Sequence, residues 1–159
     1  MVKGGGGMNY NPALLIANTI LHHFFRAGHS ITHMKLQKLI YFVYKLYLKD
    51  TGDTLFDEPF LAWQHGPVLR SVYDAFKAFD DKNINRYMLF GSDKNPRVIS
   101  RQNDEFYQAM HHIIAQYHTH TGWELRGLTS KKDTAWSKAI TRQDARLKKV
   151  DIWNERWHS

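Results

Sequence analysis

A mainly helical α+β domain, with about five to six helices and a small antiparallel β-sheet or hairpin, is the fold class this 159-residue sequence predicts. Three observations carry that expectation. Apolar residues recur at three- and four-residue spacing in several separate stretches. Residues suited to helix caps stand ahead of those stretches. Only short segments, chiefly 60–64, read as strands, so a sheet has little material.

Residues 1–7, with four consecutive glycines, read as an expression tag or disordered tail, and Met8 as the native start. Asn11-Pro12 then opens the first helix, asparagine capping free N–H groups and proline losing no bond at the first position. Leu14, Ala17, Leu21 and Phe24/Phe25 repeat at helical spacing, and Gly28 is the stop. Ser30 or Thr32 restarts the chain into a second helix from Lys35 to about Asp50. Its apolar stripe is Leu36, Leu39/Ile40, Val43 and Leu46/Tyr47, leaving Lys35, Lys38, Lys45 and Lys49 outside the stripe.

After Gly52, Phe60–Gln64 predicts a short strand, and Pro67 the first position of a third helix burying Val68/Leu69, Val72/Tyr73, Phe76 and Phe79. Segments 86–90 and 97–100 flank a Gly/Asn/Pro-containing turn and predict a loose hairpin that could extend the sheet. A fourth helix is expected from about Asp104 to Tyr117. An apolar segment follows at 123–128, and Thr134 caps a helix holding Trp136 and Ala139/Ile140. The segment containing Ile152, Trp153 and Trp157 is amphipathic, and docks on the body or on a partner. The expected division is thus a tail at 1–7, a domain over 8–141, and a basic, Trp-bearing segment over 142–159.

Hydrophobic residues make up 43% of the chain and aromatics 14%, enough to build a core. No uninterrupted apolar run reaches membrane-helix length, and no signal peptide is evident, so a soluble cytoplasmic protein is expected. The absence of cysteine removes disulfides, thiol catalysis and sulfur-ligated zinc. Histidines number ten, but no H-E-x-x-H occurs and no carboxylate stands at ligand spacing beside His111, His118 or His120. Neither a metal nor a cofactor is expected. With no nucleophile elbow, phosphate-cradling glycine loop or dinucleotide pattern, the expectation is a protein that is not an enzyme. His65, beside Gly66-Pro67, reads as a backbone-bonding corner residue rather than a general base.

The formal net charge of +7 is concentrated. Between Arg126 and Lys149 stand Arg126, Lys131, Lys132, Lys138, Arg142, Arg146, Lys148 and Lys149 against Asp133 and Asp144, a local balance of +6. Trp123, Trp136, Trp153 and Trp157 are interleaved with or follow these charges. This combination fits base stacking on a single strand, a protein interface with Trp and Arg anchors, or tryptophans packed on the core beneath a solvated basic face.

Met34-Lys35-Leu36-Gln37-Lys38-Leu39-Ile40-Tyr41-Phe42, then Phe60–Val68 with Gly66-Pro67-Val68, then Leu128-Thr129-Ser130 and Ala135-Trp136-Ser137-Lys138-Ala139, occur in that order. Together they resemble the Panacea (SocA-like, phage-associated) antitoxin family over about residues 11–140. Ser130 departs from the family's usual His, and Thr134-Ala135 from its common Pro. The resemblance implies a helical domain with a small sheet that neutralises a cognate protein toxin by direct binding, one branch acting as an adaptor to a Clp-type protease. The candidate partner-binding residues are therefore Lys35, Lys38 and His65 from the motifs, Arg126, Lys131, Lys132 and Trp136, and Arg142, Arg146, Lys148, Lys149, Trp153 and Trp157 toward the end. The alternative reading is a nucleic-acid-binding regulator using the basic 126–149 stretch.

Overall fold

Asn11 starts the fold as its side chain accepts hydrogen bonds from the N–H groups of Ala13 (2.8 Å) and Leu14 (3.3 Å), opening α1, Pro12–Arg26. The computed structural model describes residues 10–157, so the tail expected at 1–7 lies outside it. Ala27 caps α1 and Gly28, at φ +71°, turns the chain. Thr32 caps α2, His33–Thr51, and Gly52 ends it in the left-handed region at φ +79°.

Helix α2 is the centre of the molecule. Every residue from Lys35 to Lys45 is buried, because the other elements pack around more than one of its faces. This corrects the expectation that Lys35, Lys38 and Lys45 stand outside the apolar stripe. Each amine instead has a designated acceptor. Lys35 Nζ donates to the carbonyl of His118, Lys38 Nζ to that of Pro67 (3.0 Å), and Lys45 Nζ to Glu155 (2.8 Å). A buried amine is tolerated only when so bonded.

The sheet is smaller than expected. Strands β1, Leu61–Trp63, and β2, Gly66–Val68, form one antiparallel hairpin with Leu61 opposite Val68, Ala62 opposite Pro67 and Trp63 opposite Gly66. Pro67 is therefore in a strand, not at a helix start. Helix α3, Arg70–Phe76, begins three residues later and runs into a 3-10 turn at Lys77–Phe79. Segments 86–90 and 97–100 form no strands. Their backbone is held by two buried polar residues of α1: Asn18 bonds Met88 N (2.9 Å), Met88 O (2.8 Å) and Arg97 O (3.0 Å), and Thr19 Oγ1 accepts from Ile99 N (2.9 Å). With those groups satisfied by side chains, no ladder is needed.

Helix α4, Asp104–Tyr117, matches its sequence signal. The apolar stretch after it is helix α5, Gly122–Thr129, closed by a Thr121/Glu124 capping box. Gly122 allows α5 to abut the start of α2, since a Cβ there would stand 3.0 Å from Lys35 N. Thr134 caps α6, Ala135–Arg142, and α7, Lys149–Asn154, follows, giving seven α-helices among the described residues.

The C-terminal segment docks on the body. Ala62 N donates to Ala145 O and Leu147 N to Phe60 O, both at 2.9 Å, so residues 145–147 lie along the free edge of β1. Beyond α7, Glu155 is 1% exposed and accepts from Lys45 Nζ, Tyr41 Oη and Ala135 N, each at 2.8 Å. Its carboxylate thus joins α2, the N-terminus of α6 and the tail, where a negative charge is favoured by the open N–H groups of a helix start.

Candidate functional site: a groove between α2 and the hairpin

Lysine 38 lies beneath the hairpin turn. Gly66 adopts φ +99°, and a Cβ there would sit 3.0 Å from Thr129 Oγ1 and 3.1 Å from Lys38 Cε, so only glycine lets the turn close over both. One position before Lys38, Gln37 grips Leu69 with both ends of its amide: Oε1 accepts from Leu69 N (3.0 Å) and Nε2 donates to Leu69 O (3.2 Å). That bond pair holds Leu69 extended and delays α3 to Arg70. The adjacent Gln-Lys pair of α2 thus fixes the Gly66–Leu69 segment on the helix.

A groove of about 560 Å³ opens beside this contact, lined by His33, Met34, Lys38, Trp63, His65 and Tyr73, among others. Trp63 meets Tyr73 edge to face at 4.8 Å, and the Arg70 guanidinium lies over Trp63 at 5.3 Å. At the turn, His65 is exposed and packs edge to face on Trp123 at 5.3 Å rather than bonding backbone. Trp123 is 60% exposed, with the Arg126 guanidinium 5.4 Å from its ring. Arg126 makes one long bond to Gln64 O (3.4 Å), and its buried Nε has no partner among the described residues.

Two basic groups of the groove are pushed toward their neutral forms. Burial, then the charge of Arg126, lowers the Lys38 amine to about 7. Burial, then Lys38, lowers His33 to about 4, so His33 is neutral at pH 7. Asp80 is the single carboxylate on the lining.

The remaining candidates from sequence are distributed elsewhere. Trp136 Nε1 donates to Trp63 O (2.7 Å), tying α6 to the back of the hairpin. Arg142 is taken up by Asp144 (2.9 Å) and Asp151 (2.7 Å), and Lys138 stands 4.0 Å from Asp151. Lys131, Lys132, Arg146, Lys148 and Lys149 are exposed along the α5–α6 and α6–α7 connections and the start of α7. Trp153 is 44% exposed, with its carbonyl accepting from Lys49 Nζ. Trp157 covers the Lys45 amine at 4.0 Å and remains 38% exposed. Arg126 alone of the basic 126–149 stretch reaches the groove mouth, while His33, Gln37, Tyr73 and Trp123 were not among the sequence candidates.

The elements that build this groove are also the ones that relate the chain to known proteins. The family model for "Antitoxin SocA-like, Panacea domain" matches residues 36–137, more than half of the chain. The chain belongs to this family. The match starts within α2 and ends in α6, taking in the hairpin, α3, α4 and α5. A curated relative, Antitoxin SocA of Caulobacter vibrioides (strain NA1000 / CB15N), is 38% identical over 72 residues, which cover 45% of this chain and 38% of the relative. The matched stretch thus spans well under half of that relative's length. No solved structure matches the chain. For a Panacea domain, the Lys-Leu-Gln-Lys and Gly-Pro-Val motifs have a joint structural purpose here: Gln37 and Lys38 bind the backbone of Leu69 and Pro67.

No helix among the described residues is long and apolar enough to cross a membrane.

Proposed function

We propose that this protein is an antitoxin that neutralises a cognate protein toxin by direct, non-catalytic binding, with the groove beside the hairpin as the contact. The observation that carries the reading is the conjunction of family membership with an open groove walled by Trp63 and Tyr73, its hairpin turn flanked by exposed Trp123 and by Arg126. Trp63, Tyr73 and Trp123 offer the flat apolar area on which interface anchors concentrate. Lys38 at the groove and Arg126 at its mouth, the latter with an unpartnered Nε, favour a toxin segment that brings a carboxylate next to an apolar side chain. Handover of the bound toxin to a Clp-type protease is a further step that binding alone leaves open.

Co-expression with the toxin from the same operon tests the reading. Growth should be restored and the two proteins should co-purify. Trp123→Ala combined with Arg126→Ala should remove both effects while leaving a folded protein. A toxin that stays fully active beside the intact protein, with no complex recovered, would end the proposal. Comparing toxin half-life with and without the protease distinguishes occlusion from delivery.

A further inference from the structure

A second cavity, of about 470 Å³, shares no lining residue with the groove and lies between the end of α1, the turn before α4, and α4 itself. His22, His23 and Arg26 line it from α1, Arg101 from the turn, and Tyr107 and His111 from α4. No Asp or Glu lines it. Neither arginine is ion-paired among the described residues, unlike Arg97 and Arg142. The walls are set: Tyr107 Oη donates to Ile99 O (2.7 Å), placing its ring 5.3 Å from the Arg101 guanidinium. His22 Nδ1 lies 3.2 Å from Tyr87 Oη, and the His23 and His111 rings are 5.8 Å apart.

Side chains that all become positive, gathered without a counter-charge, oppose one another's protonation. Burial lowers the His23 imidazole first, and then His111, His29, His118 and His22 add to it. His29 and His118 flank the cavity as a second imidazole pair, 5.7 Å apart. An anion offsets the repulsion among these imidazoles.

We propose that this cavity binds a phosphate-bearing small molecule, the phosphate on Arg26, Arg101, His23 and His111 and its carrier group against Tyr107 and Met110. Two guanidiniums suit the paired oxygens of a phosphate, and protonated imidazoles add donors. The concave shape and volume fit a small ligand rather than a run of nucleic-acid backbone. The site stands on residues that the toxin-binding reading does not use, so either can fail alone.

Titration calorimetry with pyrophosphate and with adenosine monophosphate, at about pH 6 and about pH 8, tests it. One ligand per chain is expected for at least one probe, roughly tenfold tighter at the lower pH because binding takes up a His proton. The Arg26→Ala/Arg101→Ala variant, both positions being exposed, should fold and lose at least tenfold in affinity, whereas Lys131→Ala/Lys132→Ala should bind as the parent does. In NMR titrations the His23 ring, lowered in the free protein, should become more basic with the ligand present. The proposal is overturned by no binding of either probe, by unchanged binding in the arginine variant, or by binding only to an oligonucleotide with a steep salt dependence.

Discussion

Glu155→Ala is the substitution that most severely tests how the C-terminal segment is held. The carboxylate is 1% exposed and accepts from three donors at 2.8 Å, one of them the equally buried Lys45 ammonium. Burial already pulls the Lys45 amine below its ordinary value despite Glu155 opposite it. Removing the carboxylate leaves Lys45 with only the Arg156 carbonyl and the Trp157 ring, and leaves Tyr41 Oη and Ala135 N without an acceptor. Breaking a buried pair from one side costs about 3–5 kcal/mol. At roughly 2–4 °C per kcal/mol for a chain of this size, the melting temperature should fall by roughly 6–20 °C. Circular dichroism melts read this directly. Lys45→Met/Glu155→Leu should recover a large part of the loss, because replacing both charges by apolar groups removes their desolvation cost. A fall of under about 3 °C for Glu155→Ala, or a double variant no better than the single, refutes the account of the pair.

Gly66→Ala should cost about 2–4 kcal/mol, from left-handed strain plus the close approach of Lys38 and Thr129, measured by urea unfolding. Gln37→Ala leaves the buried Leu69 N–H without an acceptor, while the Leu69 carbonyl keeps the Tyr73 N–H, and should cost about 1–3 kcal/mol in the same assay. Lys38 also predicts a pH dependence. Its folded pKa of about 7 lies below the unfolded value of 10.5, so the unfolded chain binds the extra proton between the two. Its contribution to stability therefore rises as pH increases from about 7 to about 10.5, and Lys38→Met should flatten that part of the stability–pH curve; an unchanged slope would show that the amine is not desolvated as described.

Several helix ends were legible because caps are local chemistry, although the start expected at Pro67 was not one of them. Asn11-Pro12, Thr32, Gly52 and Thr134 each act within a few residues of their own position, and α4 follows its apolar period closely. The burial of α2 was not legible, since a period of 3.6 marks one core face and α2 has neighbours on several. Lys35, Lys38 and Lys45 look like surface charges until their acceptors arrive from His118, Pro67 and Glu155, at least 29 positions away. The hairpin expected at 86–100 was lost to two α1 side chains, Asn18 and Thr19, whose competing bonds no local pattern displays. Of the candidate site, the motifs named Lys38 and His65, and the charge count named Arg126. The groove's aromatic walls, Trp63 and Tyr73, and the neighbouring Trp123 required the fold, because the three come from separate elements. The adjacent polar Gln37-Lys38 pair, set between Leu36 and Leu39, was the available signal that α2 binds something on that face.

Toxin binding at the groove is tested most directly by the affinity of the purified toxin for groove variants. Trp123 is 60% exposed, so Trp123→Ala should change folding stability by about 1 kcal/mol or less. As an interface anchor worth about 2 kcal/mol, it should weaken toxin binding roughly thirtyfold, and Arg126→Ala should add to that loss. The distant pair Lys148→Ala/Lys149→Ala should leave the affinity within about threefold. Unchanged toxin affinity in the Trp123 and Arg126 variants, or a loss confined to the Lys148/Lys149 variant, would contradict the account.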